Sequence, residues 1–156
     1  IAPGLRVGYM VAVPEVISGL AKYAEDSYIN TSFLNQALVY GFAHSGQLNA
    51  HLGRLSALYI ERLDAALASL DEHFTGMARW HRPDGGFFIG VTLNKKVKAE
   101  TLLRGAAKAG LALSDGRGFF PNGGGEEFIR LPFCALTPDE IRTGITRLAD
   151  VVKTLR

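Results

Sequence analysis

Glu126-Glu127-Phe128-Ile129-Arg130-Leu131-Pro132-Phe133-Cys134-Ala135-Leu136 is a short apolar run with one arginine near its centre. Successive side chains of a strand point to opposite faces, so Ile129, Leu131 and Phe133 share one face and Phe128, Arg130 and Pro132 the other. The first set is core, and the second presents a guanidinium. Its fork of five N–H donors matches a carboxylate or phosphate in two-point geometry, which makes Arg130 a candidate anion receptor. Pro132 lacks the N–H that a central strand needs, so the strand belongs at a sheet edge, where a merely solvated arginine is the competing reading. Cys134, continuing the run, reads as a small buried hydrophobe.

Working outward, Thr137-Pro138-Asp139-Glu140 opens a helix: Thr137 caps, Pro138 takes the first helical position and Glu140 closes a capping box. Ile141, Ile145, Leu148, Val152 and Leu155 supply its buried stripe. Upstream, Gly116 to Gly125 holds five glycines and Pro121 around Phe119-Phe120. It reads as a loop, either one whose backbone approaches a ligand or an ordinary glycine-rich surface loop. Lys98 to Ala109 fits a helix packed by Leu102, Leu103 and Ala106 and stopped by Gly110, with a strand expected over Leu111 to Leu113, a strand–helix–strand unit. Pro83-Asp84-Gly85-Gly86 is a turn signal between two apolar runs, Met77 to Trp80 and Phe87 to Leu93, which are expected to pair.

Before them, Leu48 to about Phe74 runs without proline, with Leu48, Leu52, Leu55, Tyr59, Leu63, Ala66, Leu70 and Phe74 recurring every three or four residues. At 1.5 Å per residue this helix is about 40 Å long, the length of a bridge between two bodies. Thr31 or Ser32 caps a preceding helix that carries Phe33, Leu34, Ala37, Leu38 and Phe42 and stops at Ser45-Gly46. Leu5 to Val13 reads as a buried strand, and Pro14 then begins a helix with Val16, Ile17, Leu20, Ala21 and Ala24 on one face. The order predicts an α/β protein: 1–46 as the end of one body, 47–74 as the long helix, and 75–156 as a compact α/β unit.

The 156 residues are 47% hydrophobic and 21% charged with a formal net charge of +2, enough for a sizeable core and without the basic runs that would argue for nucleic acid or an anionic membrane. Cys134 is the single cysteine, which excludes an internal disulfide and points to a cytoplasmic protein. The chain opens on Ile1 directly into an apolar pattern and is expected to be a piece of a longer protein. His44, His51, His73 and His81 lack metal-ligand spacing, and neither a phosphate loop nor a nucleophile elbow is present, so no metal site is expected.

Ile1-Ala2-Pro3-Gly4-Leu5-Arg6-Val7-Gly8 supplies a second notable arginine. This stretch resembles the segment after the Schiff-base lysine in fold type I, class I/II pyridoxal-phosphate-dependent aminotransferases, in the branch of 2-aminoadipate aminotransferases and aminotransferase-like regulators. The likeness continues through Asn35-Gln36-Ala37, the long helix, Arg82 to Phe88, Phe119-Phe120-Pro121 and Ile129-Arg130-Leu131-Pro132-Phe133, with Cys134 standing where a small polar residue is usual. It implies the last elements of the large cofactor-binding domain, an interdomain helix and the small C-terminal domain. It implies further that Arg6 contacts the phosphate of pyridoxal 5′-phosphate, that Arg130 grips the substrate α-carboxylate, and that the Schiff-base lysine lies two residues before Ile1. The parent is then expected to transfer amino groups between α-amino acids and 2-oxo acids as a homodimer touching neither membrane nor, through this segment, nucleic acid. The isolated chain is expected to be inactive. The alternatives are the effector-sensing part of a helix-turn-helix transcription regulator, and a binding or dimerisation module without cofactor.

Overall fold

The computed structural model describes residues 2–155. They divide into two compact units, Ile1–Arg54 and Leu55–Arg156, and the division falls inside a helix.

In the first unit, a 3-10 turn at Pro3–Leu5 precedes two helices, α1 (Pro14–Ser27) and α2 (Phe33–His44), and the first turns of α3 (Gln47–Phe74). Pro14 occupies the first turn of α1, and the Ser32 side chain caps α2 by accepting from the Asn35 backbone N–H at 3.4 Å. Gly46, at φ 77°, makes the left-handed break between α2 and α3 that the sequence marked. The expected strand over Leu5 to Val13 is absent: Leu5 closes the 3-10 turn and residues 6–13 have no regular structure. A strand exists only through its ladder, and no described residue pairs with this stretch. Neither α1 nor α2 buries a residue.

The second unit is built on a three-stranded antiparallel sheet of order β1 (Ala78–Trp80), β2 (Phe88–Leu93), β3 (Phe128–Pro132). The Pro83–Gly86 turn separates β1 and β2 as expected, with Ala78 opposite Leu93 and Trp80 opposite Val91. Ile89, Val91, Leu93, Ile129 and Leu131 share the buried face. Against that face pack the rest of α3, α4 (Ala99–Lys108) and α5 (Pro138–Thr154), through Leu63, Leu70 and Phe74, Leu102, and Ile141, Ile145 and Leu148. The α5 stripe is buried throughout, and its capping box is complete: Thr137 Oγ1 accepts from the Glu140 N–H at 3.3 Å while a Glu140 carboxylate oxygen accepts from the Thr137 N–H at 2.8 Å.

Three further expectations need correction. Residues 111–113 form no strand, so no strand–helix–strand unit exists. Leu111 and Leu113 instead lean on the core and line an apolar cavity of about 270 Å³ with Leu131, Ile141 and Ile145. The loop at 116–125 contains a 3-10 turn, Gly116–Phe119, capped by Asp115. Cys134 lies beyond the end of β3 and is only half-buried; its carbonyl accepts a hydrogen bond from the Arg62 guanidinium.

Candidate active site

Strand parity settles the first question about Arg130. β3 is an edge strand paired to β2 alone, with Arg130 opposite Gly90, Ile129 opposite Val91 and Phe88 opposite Pro132. Ile129, Leu131 and Phe133 are buried, whereas Phe128, Arg130 and Pro132 stand on the other face, as the alternation required.

That other face carries an aromatic layer. The Arg130 guanidinium carbon lies 3.4 Å from the centroid of the Phe88 ring and 4.9 Å from that of Phe119. Phe88 is the diagonal cross-strand neighbour of Arg130, a distance that a long side chain spans. Gly90, opposite Arg130, leaves room for the Phe128 ring, which a Cβ there would approach to 3.0 Å. Phe128 in turn meets Phe119 and Phe120 edge to face, with centroids 6.0 and 5.4 Å apart. Arg82, Arg117 and Arg142 each hold a carboxylate, but Arg130 has no ion pair or hydrogen-bonded side-chain partner among the described residues. It is a half-buried cation, held by rings, with its hydrogen-bond donors uncommitted.

The turn that brings Phe119 to the arginine is tied down at two places. The Arg117 side chain donates to both oxygens of Asp115, Nε to Oδ1 at 3.0 Å and Nη2 to Oδ2 at 2.7 Å, and reaches Glu100 of α4 through Nη1 at 2.6 Å. Hydrogen bonds from Arg117, first from its side chain and then from its backbone N–H, hold the Asp115 carboxyl below the usual range. A backbone N–H, then Arg117, does the same for Glu100. The second tie is the Phe128 N–H, which donates to the Gly125 carbonyl at 3.2 Å, and a Cβ on Gly116 would lie 2.2 Å from the Phe128 carbonyl oxygen. Only glycine lets the turn sit this close to β3.

Arg6 belongs to the first unit. It caps the 3-10 turn in the left-handed region at φ 55°, its N–H donating to the Pro3 carbonyl at 3.2 Å, and it is exposed. An arginine in that conformation costs roughly 1 kcal/mol, which local bonds must offset. Asn35 Nδ2 donates to the Leu5 carbonyl at 3.0 Å and pins the peptide just before it. Arg6 makes no ion pair among the described residues, so a strained, pinned backbone carries an uncommitted guanidinium, a donor that suits a phosphate.

The two arginines singled out from the sequence therefore lie in different units, each unpaired. Sequence reasoning missed Phe88, Phe119, Asp115, Arg117 and Glu100. Asp115, two residues before Arg117, was readable as a local cap, but the rings on Arg130 depend on a strand register that no local pattern encodes. Among the described residues no three His, Cys, Asp or Glu side chains gather as a metal site would need, and no helix is long and apolar enough to cross a membrane.

The model of the family "Aminotransferase class I and II" matches residues 2–148. The chain belongs to this family. Among curated relatives, the 2-aminoadipate transaminase of Thermus thermophilus is 36% identical over 155 residues, 99% of this chain and 39% of its own length. Among solved structures, an alpha-aminoadipate aminotransferase of Thermus thermophilus, complexed with N-(5′-phosphopyridoxyl)-L-leucine, matches with a TM-score of 0.88 at 36% identity, over 97% of this chain and 39% of that one. An uncharacterised HTH-type transcriptional regulator of Bacillus subtilis is similar at 26% identity, over 99% of this chain and 32% of the regulator. The chain thus spans less than two fifths of the length of the relatives it matches.

Proposed function

We propose that the protein carrying this chain is a pyridoxal 5′-phosphate-dependent aminotransferase that moves an amino group between an α-amino acid and a 2-oxo acid. In it Arg130 holds the substrate α-carboxylate and Arg6 the cofactor phosphate. The observation that carries the reading is the Arg130 guanidinium, laid over two phenylalanine rings with its donors free, in a member of the aminotransferase family. Residues 1–46 are the end of the cofactor-binding domain, 47–74 the interdomain helix and 75–156 the small domain. The long helix running through the division between the units supports that arrangement, as do the exposed apolar side chains of α2, among them Phe33, Leu34 and Tyr40. The parent acts as a homodimer, and its single unbridged cysteine within this chain suits a reducing compartment.

The cofactor, when bound, supplies the electron sink for cleavage at the substrate Cα. The residues of this chain supply binding and orientation. Arg130 presents two parallel N–H donors to a carboxylate, which fixes its plane as well as its position and so limits rotation of the attached Cα. Arg6 anchors the phosphate, holding the ring against the pull of the substrate. The isolated chain, which contains neither the expected lysine nor the rest of the cofactor domain, is inactive by itself.

The test is transamination of 2-aminoadipate with 2-oxoglutarate by the full-length protein, before and after Arg130→Lys. One charge remains, but the fork is gone, and kcat/KM falls about a hundredfold, the loss of one to two charge-assisted hydrogen bonds. No transamination of any amino acid by the cofactor-loaded protein, or an Arg130→Lys variant with unchanged KM, overturns the assignment. Two HTH-type regulators of Bacillus subtilis, at 26% and 27% identity, favour the regulator reading, and the aminotransferase relatives at 32–36% identity are the more similar.

A further inference from the structure

We propose that Phe119 is a positioning residue for Arg130, and that the Asp115–Arg117–Glu100 clamp sets carboxylate affinity by holding the Phe119 ring in place. This rests on the reading of Arg130 as the carboxylate receptor and adds how that receptor is kept ready.

A long arginine side chain loses rotamer freedom when it is fixed for binding. A carboxylate neighbour could fix it, but it would occupy the donors that the substrate needs. An aromatic face restrains the guanidinium by cation–π attraction and leaves the N–H edge free for an in-plane ligand. Phe88 does this from within the sheet, at 3.4 Å, while Phe119 does it from a turn, at 4.9 Å. The loop lies close against β3 because glycine leaves the space, a Cβ on Gly116 coming 2.2 Å from the Phe128 carbonyl oxygen and one on Gly125 2.4 Å from the Phe120 ring, and the Phe128 N–H ties it there by donating to the Gly125 carbonyl at 3.2 Å. Arg117, bridging Asp115 and Glu100, links it to α4. Phe119 itself is 41% exposed, so its ring contributes little to the core. Its edge-to-face partner is Phe128, on the same sheet face as Arg130.

The experiment uses the full-length, cofactor-loaded protein with Phe119→Leu, Phe119→Tyr, Arg117→Gln and Arg130→Ala, measuring KM and kcat together with calorimetric binding of glutarate as a non-reacting carboxylate. Phe119→Leu raises KM for both the amino acid and the 2-oxo acid about tenfold. It weakens glutarate by the same factor and leaves kcat within about twofold, and Phe119→Tyr restores all three. Arg117→Gln, which leaves the ring intact, moves KM in the same direction by less. In the Arg130→Ala background Phe119→Leu has no further effect on glutarate binding, since nothing is left to position. If Arg130→Ala weakens glutarate but Phe119→Leu and Arg117→Gln do not, this proposal falls and the receptor assignment stands. A lowered kcat or melting temperature with KM unchanged overturns it likewise, as a purely structural role. If Arg130→Ala leaves glutarate binding unchanged, the receptor assignment falls and takes the proposal with it.

Discussion

Asp115 and Glu100 are carboxylates whose pKa values are depressed by hydrogen bonds that exist only in the folded protein. A group with a depressed folded pKa contributes stability that is present above its unfolded value and lost as pH falls through the folded one. The turn at 116–119 is therefore expected to be firm at neutral pH and to loosen on acidification below the ordinary carboxylate range, about pH 4. Hydrogen exchange of the amides of Arg117 to Phe120, measured in the full-length protein across this range, tests it. Protection falls with acid in the wild type, and in an Asp115→Asn variant it is low at neutral pH and nearly flat; an equally acid-sensitive variant would contradict the account. At this scale the sequence disclosed on which face of its strand Arg130 stands, because strand parity is local. That Arg130 is held by rings was not readable, since the contact depends on the register of β2 against β3 and on a turn 11 residues upstream.

Among the elements, α5 was the most readable and β3 nearly so, whereas residues 5–13 and 111–113 misled. Three are apolar runs and α5 is amphipathic, and they differ in whether the deciding interaction is local. Thr137, Pro138 and Glu140 satisfy the first N–H groups of α5 from within its own first turn. The Leu111 to Leu113 stretch has strand-like composition but no ladder partner among the described residues, so its leucines pack on the core without joining the sheet. Thr137→Ala, which removes the hydroxyl and leaves the Glu140 half of the box, is expected to lower stability by about 1 kcal/mol, seen as a lower melting temperature of the full-length protein. Thr137→Ser should recover most of the loss, whereas equal losses for serine and alanine would show that the methyl group, not the cap, is what matters.

Over the whole molecule, the two units differ in kind. The second has a continuous core in which Leu70 and Phe74 are fully buried, while α1 and α2 of the first bury nothing. Phe74→Ala is expected to cost about 3–5 kcal/mol by leaving a cavity at the junction of α3 with the sheet. Leu136→Ala, at a site 41% exposed, should cost about 0.5 kcal/mol. Thermal unfolding of the full-length variants measures both, and similar losses would mean that Phe74 is not central to the core. The sequence by itself determined the helices, the caps of α2 and α5, the hairpin turn and the buried face of β3, because each follows from hydrogen bonds and side-chain periodicity within a few residues. Only the tertiary structure decided which apolar stretches become strands, which glycines let backbone and ring approach, and what surrounds Arg130. Those outcomes depend on residues far apart in the chain meeting in one register, and a ladder partner or a stacked ring leaves no mark on the sequence around the residue it completes.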